Sequence, residues 1–210
     1  PIAAALIAAA ATPIAAPSAN TSGRPSPTKA GHVAEDMAGK IPLILDGGPV
    51  SIGLESTVVD VRGQYPLLLR PGQITAEELT KLCGDCLFPS AADAQRPAAP
   101  GMKYRHYAPK GQVFLAQDAQ EALLIAARLE ATPLFLGSAE LAAELIRQGI
   151  AAQRVKALFA AGNFCQYAQN IFAALRDADS ADEANIVVEA VPEKGLGLAI
   201  MNRLKKAAAK

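Results

Sequence analysis

An α/β fold is predicted, on three observations. From residue 113 onward, short apolar runs alternate with amphipathic segments of helix length. Helix-capping residues stand in front of those segments, and the connections between them are short. Alternation of this kind builds a parallel sheet covered by helices.

In chain order, the first segment is Ile2 to Ala16, apolar throughout. It falls short of the ~20 residues of a membrane-spanning helix, and Pro13 interrupts it. No positively charged region precedes it, which argues against a signal peptide. A buried helix over 2–11 and a strand over 14–16 are therefore predicted, in a soluble, cytoplasmic protein. Pro17 restrains Ala16 to an extended conformation and closes the strand. The polar stretch that follows carries Ser18, Asn20, Thr21, Ser22 and Ser26, a permissive Gly23, and the donor fork of Arg24. On composition alone an ordinary surface turn is the simpler reading; a phosphate or carboxylate site is the other.

A helix is expected near 30–38, then strands near 42–46, 57–61 and 66–69, like pieces of a sheet whose other members are absent. Thr75, with Glu78 three residues on, forms a capping box for a further helix. The segment "GGPVSIGLESTVVD" (47–60) frees its backbone at Gly47, Gly48 and Gly53 and leads through Glu55, Ser56 and Thr57 into a strand. It lacks the Gly-Lys-Ser/Thr ending of a P-loop. In "LLLRPGQI" (67–74), Arg70 ends an apolar strand at a Pro-Gly turn, a place for a ligand contact or equally for a structural ion pair.

Residues 88–111 hold four prolines, no clear periodicity, and the cluster Lys103, Tyr104, Arg105, His106 and Tyr107. Aromatic rings stack on bases and cations screen phosphates. Tyrosines that merely pin a linker to a domain are the competing reading.

The C-terminal half is more regular. Val113 to Ala116 is a strand, and Asp118 with Glu121 caps a helix through Leu129. Pro133 to Leu136 is a strand, and Ser138 caps a helix ending near Gly149. Val155 to Ala160 is the third strand. Asn163 starts a helix with Phe164, Tyr167, Ile171 and Leu175 at helical spacing. A strand at Ile186 to Val191 and a helix at Leu196 to Ala208 complete a small Rossmann-like unit. Its first strand leads into "VFLAQDAQEA", which has no glycine, so no NAD assignment attaches to it. The "GLG" at 195–197 reads as a turn or a close packing point, with a ligand contact the lesser alternative.

Bulk composition narrows the function. Of 210 residues 51% are hydrophobic, and 20 basic side chains balance 20 acidic ones, which argues against a general nucleic-acid polyelectrolyte. Three cysteines without a secretory signal read as reduced thiols. "CGDC" (83–86) falls at the end of a predicted helix with no thioredoxin-like strand leading into it, so a redox role is disfavoured. His32, His106 and Cys165 show no zinc-ligand spacing.

Together, "PIAAPSANTSGRPSPT", "GLESTVVD", "LLRPGQI", "PGMKYRHYAPKG" and "GLGLAIMNRL" resemble, in that order, the threonylcarbamoyl-AMP synthase family in its two-domain form. The resemblance covers essentially the whole chain. It implies the C-terminal portion of a YrdC-like α/β catalytic domain over 1–87, a linker over the active site at 88–112, and a Rossmann-like parallel-sheet domain over 113–210. It implies that L-threonine, bicarbonate and ATP, with Mg²⁺, become threonylcarbamoyl-adenylate and pyrophosphate. A tRNA-modifying complex would then transfer the threonylcarbamoyl group to an adenosine. By the same resemblance, Ser18, Asn20, Ser26, Arg70, Tyr104, His106 and Tyr107 bind the nucleotide, and Ser56 and Thr57 close around the threonine and adenylate end. The family's Lys-x-Arg motif lies well upstream of its Ser-x-Asn segment, whereas this chain starts just before that segment. Pro1 is therefore expected to be an internal residue of a longer protein, and these 210 residues alone to be inactive. An RNA-binding or regulatory module is the alternative; the neutral charge balance weighs against tight RNA binding.

Overall fold

The computed structural model describes residues 2–89 and 107–209. The N-terminal part comprises α1 (Ile2–Ala10), α2 (Ala30–Met37), β1 (Val58–Asp60), β2 (Leu67–Arg70) and α3 (Ala76–Cys83). The C-terminal part comprises β3 (Gln112–Ala116), α4 (Ala119–Ala126), β4 (Leu134–Ser138), α5 (Ala139–Arg147), β5 (Val155–Phe159), α6 (Phe164–Ser180), β6 (Asn185–Glu189) and α7 (Leu196–Ala208). The fold is mixed α/β, as the sequence predicts.

The C-terminal strands form one parallel sheet in the order β3-β6-β4-β5. Side chains alternate across a strand, and the apolar residues sort accordingly. Ile186 and Val188 pack with α6 and α7, while Val187 packs with Phe135, Leu141 and Leu145 on the other face. Burying each Leu, Ile or Phe contributes about 1.5–3 kcal/mol relative to exposure, so this two-faced core anchors the molecule. The caps read from sequence are formed. Asp118, Ser138 and Asn163 each accept a backbone N–H of the first helical turn. Helix α4 stops at Ala126 rather than Leu129, because Arg128 and Leu129 tighten onto carbonyls three residues back.

The N-terminal part carries less. β1 and β2 form a two-stranded antiparallel pair. Thr75 and Glu78 complete the expected capping box. Helix α1 buries none of its residues, contrary to the buried helix expected. No strand forms at 14–16 or 42–46. A strand exists only against a partner, and among the described residues neither segment has one; Leu43 is 70% exposed. No helix among the described residues is long and apolar enough to cross a membrane.

The two parts are fastened through α6 and α7. On α6, Arg176 and Asp179 are buried charges that face α2 and the polar loop. On α7, Arg203 is buried against Glu55.

Candidate functional site

Two loops enclose a cavity of about 650 Å³, lined by Ser18, Ser26, Gly48, Val50, Gly53 and Glu55 among others. That volume suits a nucleotide-sized ligand. The 47–55 loop depends on glycine at one point above all. Gly53 has φ +74°, and a Cβ there would run into the backbone of Ala168 and Gln169. The loop thus lies directly on α6, where Gln169 Nε2 also donates to the Val50 carbonyl at 3.2 Å.

The opposite loop, 17–28, is held from behind. Thr21 N–H donates to Asp36 Oδ2 at 3.0 Å, and Arg24 pairs with the same carboxylate. Arg176 reaches it at 2.7 Å and also donates to the Pro25 carbonyl at 2.9 Å. Burial pushes the Asp36 carboxyl up. Hydrogen bonds from Arg176 and Thr21 and the charges of Arg176 and Arg24 outweigh that and hold its pKa below the ordinary value. Arg24 therefore serves the loop's own structure. Asn20 donates to the Thr21 and Arg24 carbonyls at 3.0 and 3.3 Å, and its Oδ1 is a buried acceptor with no partner among the described residues.

Glu55 joins the cavity to a second cluster. Its Oε1 accepts from Ser26 Oγ at 2.5 Å and its Oε2 from Arg203 Nε at 2.8 Å. The Arg203 guanidinium lies 5.6 Å from the centroid of Tyr107, whose ring stacks on Phe172 at 5.5 Å. Tyr107 is 2% exposed, with Arg70 close enough to act on its hydroxyl. Burial first, then the Glu55 charge, raises its pKa, against Arg203 and Arg70. Arg70 also donates to the Ser56 carbonyl at 3.0 Å and to Ser56 Oγ at 3.3 Å. Lys206 lies in the same field. Burial, then Arg203, with Arg70 adding and Glu55 opposing, lowers its pKa to about 8.

Of the residues marked out in the sequence, Ser18 and Ser26 line the cavity. Asn20 braces the loop behind it. Arg70, Ser56 and Tyr107 form the adjoining cluster, tied to the cavity through Arg203 and Glu55. Thr57 Oγ1 donates to the Ile74 carbonyl at 2.7 Å. Tyr104 and His106 lie outside the described residues. Cys83 closes α3, both cysteines of "CGDC" are free, and burial, then Cys83, raises the Cys86 thiol. A raised pKa disfavours the reactive thiolate.

The described residues do not fit a protein-held Mg²⁺. Among the described residues no group of three or more His, Cys, Asp or Glu is placed to hold a metal. Glu55, the carboxylate at the cavity, is engaged on both oxygens.

Sequence reasoning passed over Asp36, Arg176, Arg203 and Lys206. The signal was present: Arg176 and Arg203 interrupt otherwise apolar helix faces, next to Phe172 and Leu175 in one case and Ile200 and Leu204 in the other.

This arrangement defines a class: a YrdC-like α/β unit whose cleft is backed by the helices of a small Rossmann-like domain. Comparison with known proteins agrees. A family profile described as "Threonylcarbamoyl-AMP synthase, C-terminal domain" matches residues 74–209, and one described as "Telomere recombination" matches residues 1–72. The threonylcarbamoyl-AMP synthase of Pyrococcus abyssi is 43% identical over 93% of this chain and 57% of its own length. That of Bacillus subtilis is 41% identical over 99% of this chain and 60% of its own length. The crystal structure of P. abyssi Sua5 complexed with L-threonine superposes with a TM-score of 0.82 at 41% identity, covering 99% of this chain and 61% of that one. The chain belongs to the threonylcarbamoyl-AMP synthase family, and it spans about 60% of the length of these relatives.

Proposed function

We propose that this chain serves L-threonylcarbamoyladenylate synthesis, the condensation of L-threonine, bicarbonate and ATP into threonylcarbamoyl-AMP, pyrophosphate and the water released as the threonine amine and bicarbonate form N-carboxy-threonine. The observation that carries the reading is one continuous network, Ser26–Glu55–Arg203–Tyr107–Arg70, bordering a nucleotide-sized cavity. The names of the relatives, and the L-threonine complexed with P. abyssi Sua5, support the same chemistry. We take residues 1–87 as part of the catalytic domain, 88–112 as the linker over the site and 113–210 as the supporting domain.

In the proposed reaction, a carbamate oxygen of N-carboxy-threonine attacks the α-phosphorus of ATP, supplied as its Mg²⁺ salt. The new O–P bond forms as the bond to the β,γ-diphosphate breaks, and pyrophosphate leaves with the electron pair. Such a step needs alignment, charge neutralisation and exclusion of water rather than a covalent intermediate. Ser18, Asn20 and Ser26 would bind the nucleotide from the polar loop, and Arg70 would meet its phosphates. Tyr107, with Tyr104 and His106 of the linker, would cover it and protect the labile carbamate. Ser56 and Thr57 would meet the threonine and adenylate end. The product would feed a tRNA-modifying transfer complex in the cytoplasm.

Calorimetric titration of this chain with threonylcarbamoyl-AMP, AMP and L-threonine tests the reading. The product is expected to bind more tightly than either fragment. Arg70→Ala should weaken it about tenfold or more, since a hydrogen bond to a charged group is worth about 1.5–3 kcal/mol. Absence of product binding, with salt-sensitive RNA binding in its place, would favour the regulatory module.

A further inference from the structure

The supporting domain reaches into the candidate site through one side chain. Arg203 stands at the centre of α7 among Ile200, Leu204 and Ala207, 1% exposed. An unpaired guanidinium in such a setting costs several kcal/mol, so its partners are informative. Beyond its own helix they belong to the walls of the cleft or to Tyr107, in the linker strap at 88–112. Arg203 Nε donates to Glu55 Oε2 at 2.8 Å, its Nη2 approaches the Glu55 carbonyl at 3.5 Å, and its Cζ lies over the Tyr107 ring. Its Nη1 is steadied by Asn202 Oδ1 at 3.1 Å.

We propose that Arg203 is a positioning residue for the cleft: by holding Glu55 it sets the Ser26 hydroxyl and the 47–57 wall, and by facing Tyr107 it seats the end of the strap. The proposal rests on the functional reading above for what the cleft binds, but not for the mechanics.

The geometry requires an arginine. The carboxylate of Glu55 has one oxygen committed to Ser26, so the other needs a directed donor, while the Tyr107 face needs a flat cation. A guanidinium meets both at once; a lysine ammonium is a point charge that meets one or the other. The chain of contacts also has a direction. With Arg203 removed, Glu55 becomes a partly buried carboxylate without its cation. It would turn to solvent and draw Ser26 and the loop after it. Gly53 on α6 and the Gln169–Val50 hydrogen bond hold the loop's middle, so the release concentrates at its Glu55 end.

The test compares Arg203→Lys, Arg203→Met, Glu55→Gln and the double variant Arg203→Met/Glu55→Gln in this chain. Amide hydrogen exchange reads the wall without ligand. In Arg203→Met, exchange over 53–57 should rise about tenfold, while β4 and β6 stay within about twofold, because local opening is separable from global unfolding. Arg203→Lys should recover part of the protection. The double variant should match Arg203→Met rather than sum the two single effects, as expected for residues acting as a unit. Unchanged exchange at 53–57, or an equal rise in β4 and β6, overturns the proposal. A parallel titration with threonylcarbamoyl-AMP should show about tenfold weaker binding in Arg203→Met and partial recovery in Arg203→Lys; equal affinity in the two variants and the parent also overturns it. If the parent chain binds no product, the functional reading fails while the exchange result still decides this one.

Discussion

Asp36 and Arg176, 140 positions apart in the chain, meet at 2.7 Å with side chains 0% and 1% exposed. The pair ties α2 to α6, and through the Thr21 N–H and the Pro25 carbonyl it fixes the polar loop as well. Removing one partner of such a pair leaves an uncompensated buried charge, at a cost of about 3–5 kcal/mol. Asp36→Asn is therefore expected to lower the urea midpoint strongly. The double change Asp36→Asn/Arg176→Met should recover part of that loss, because the stranded guanidinium is gone. A loss under about 1 kcal/mol in Asp36→Asn, the scale of an exposed ion pair, would show that the pair is only incidental to the docking.

Acid should act on the same region in two steps. His32 is 2% exposed, and its Nδ1 accepts the Thr28 N–H at 3.2 Å. Burial, then the charges of Arg176 and Lys29, hold its pKa below the ordinary 6.5. Just below pH 6.5 the unfolded chain thus binds more protons than the folded one, so stability falls as pH falls. Asp36, whose pKa is also lowered, adds a second loss only below its ordinary 3.8. Thermal unfolding followed from about pH 7.5 to about pH 5 should show a steady decline in midpoint. In His32→Asn, which keeps a neutral acceptor near the Nδ1 position, that decline should flatten.

How much of this was legible in the sequence follows a physical division. Elements whose signals are local were readable: the Thr75–Glu78 box, the Asp118, Ser138 and Asn163 caps, and the periodicity of α6 and α7. Strands at 14–16 and 42–46 were overread, since apolar content predicts burial only where a partner surface exists, and Ile41, Leu43 and Leu45 are exposed. At the candidate site, Ser18, Ser26 and Arg70 were marked out by the family resemblance of their motifs, because their turn chemistry alone reads equally well as ordinary surface turns. Asp36, Arg176 and Arg203 were not, because their meaning depends on partners more than a hundred residues away in sequence, which no local pattern encodes.

Gly53 gives a prediction that separates packing from chemistry. Its φ of +74° and the nearness of the Ala168 and Gln169 backbone leave no room for a Cβ. Gly53→Ala should destabilise by more than the ~1 kcal/mol of a mere left-handed penalty, since helix backbone cannot swing aside as a side chain would. Gly48, also at positive φ but with open space around it, is the internal control. Gly48→Ala should cost only that penalty. Comparable unfolding midpoints for the two variants would mean the 47–55 loop does not rest on α6 in solution.

Lys206 reports on the charge of the cluster directly. It lies beside Arg203 and Arg70, donates to Asn202 Oδ1 at 3.1 Å, and has its pKa lowered from the ordinary 10.5 to about 8 by burial and by those two cations. Reductive ¹³C-methylation and NMR titration should place the Lys206 midpoint near pH 8. Arg203→Met should move that resonance upward, because a cation is lost and Glu55 loses its competitor. The linked effect on stability has a definite sign. Between pH 8 and 10.5 the unfolded chain holds the proton that the folded chain has released, so this group favours folding more as pH rises through that window. An unperturbed Lys206 titration near 10.5, insensitive to Arg203→Met, would mean that Lys206 points away from Arg203 and Arg70.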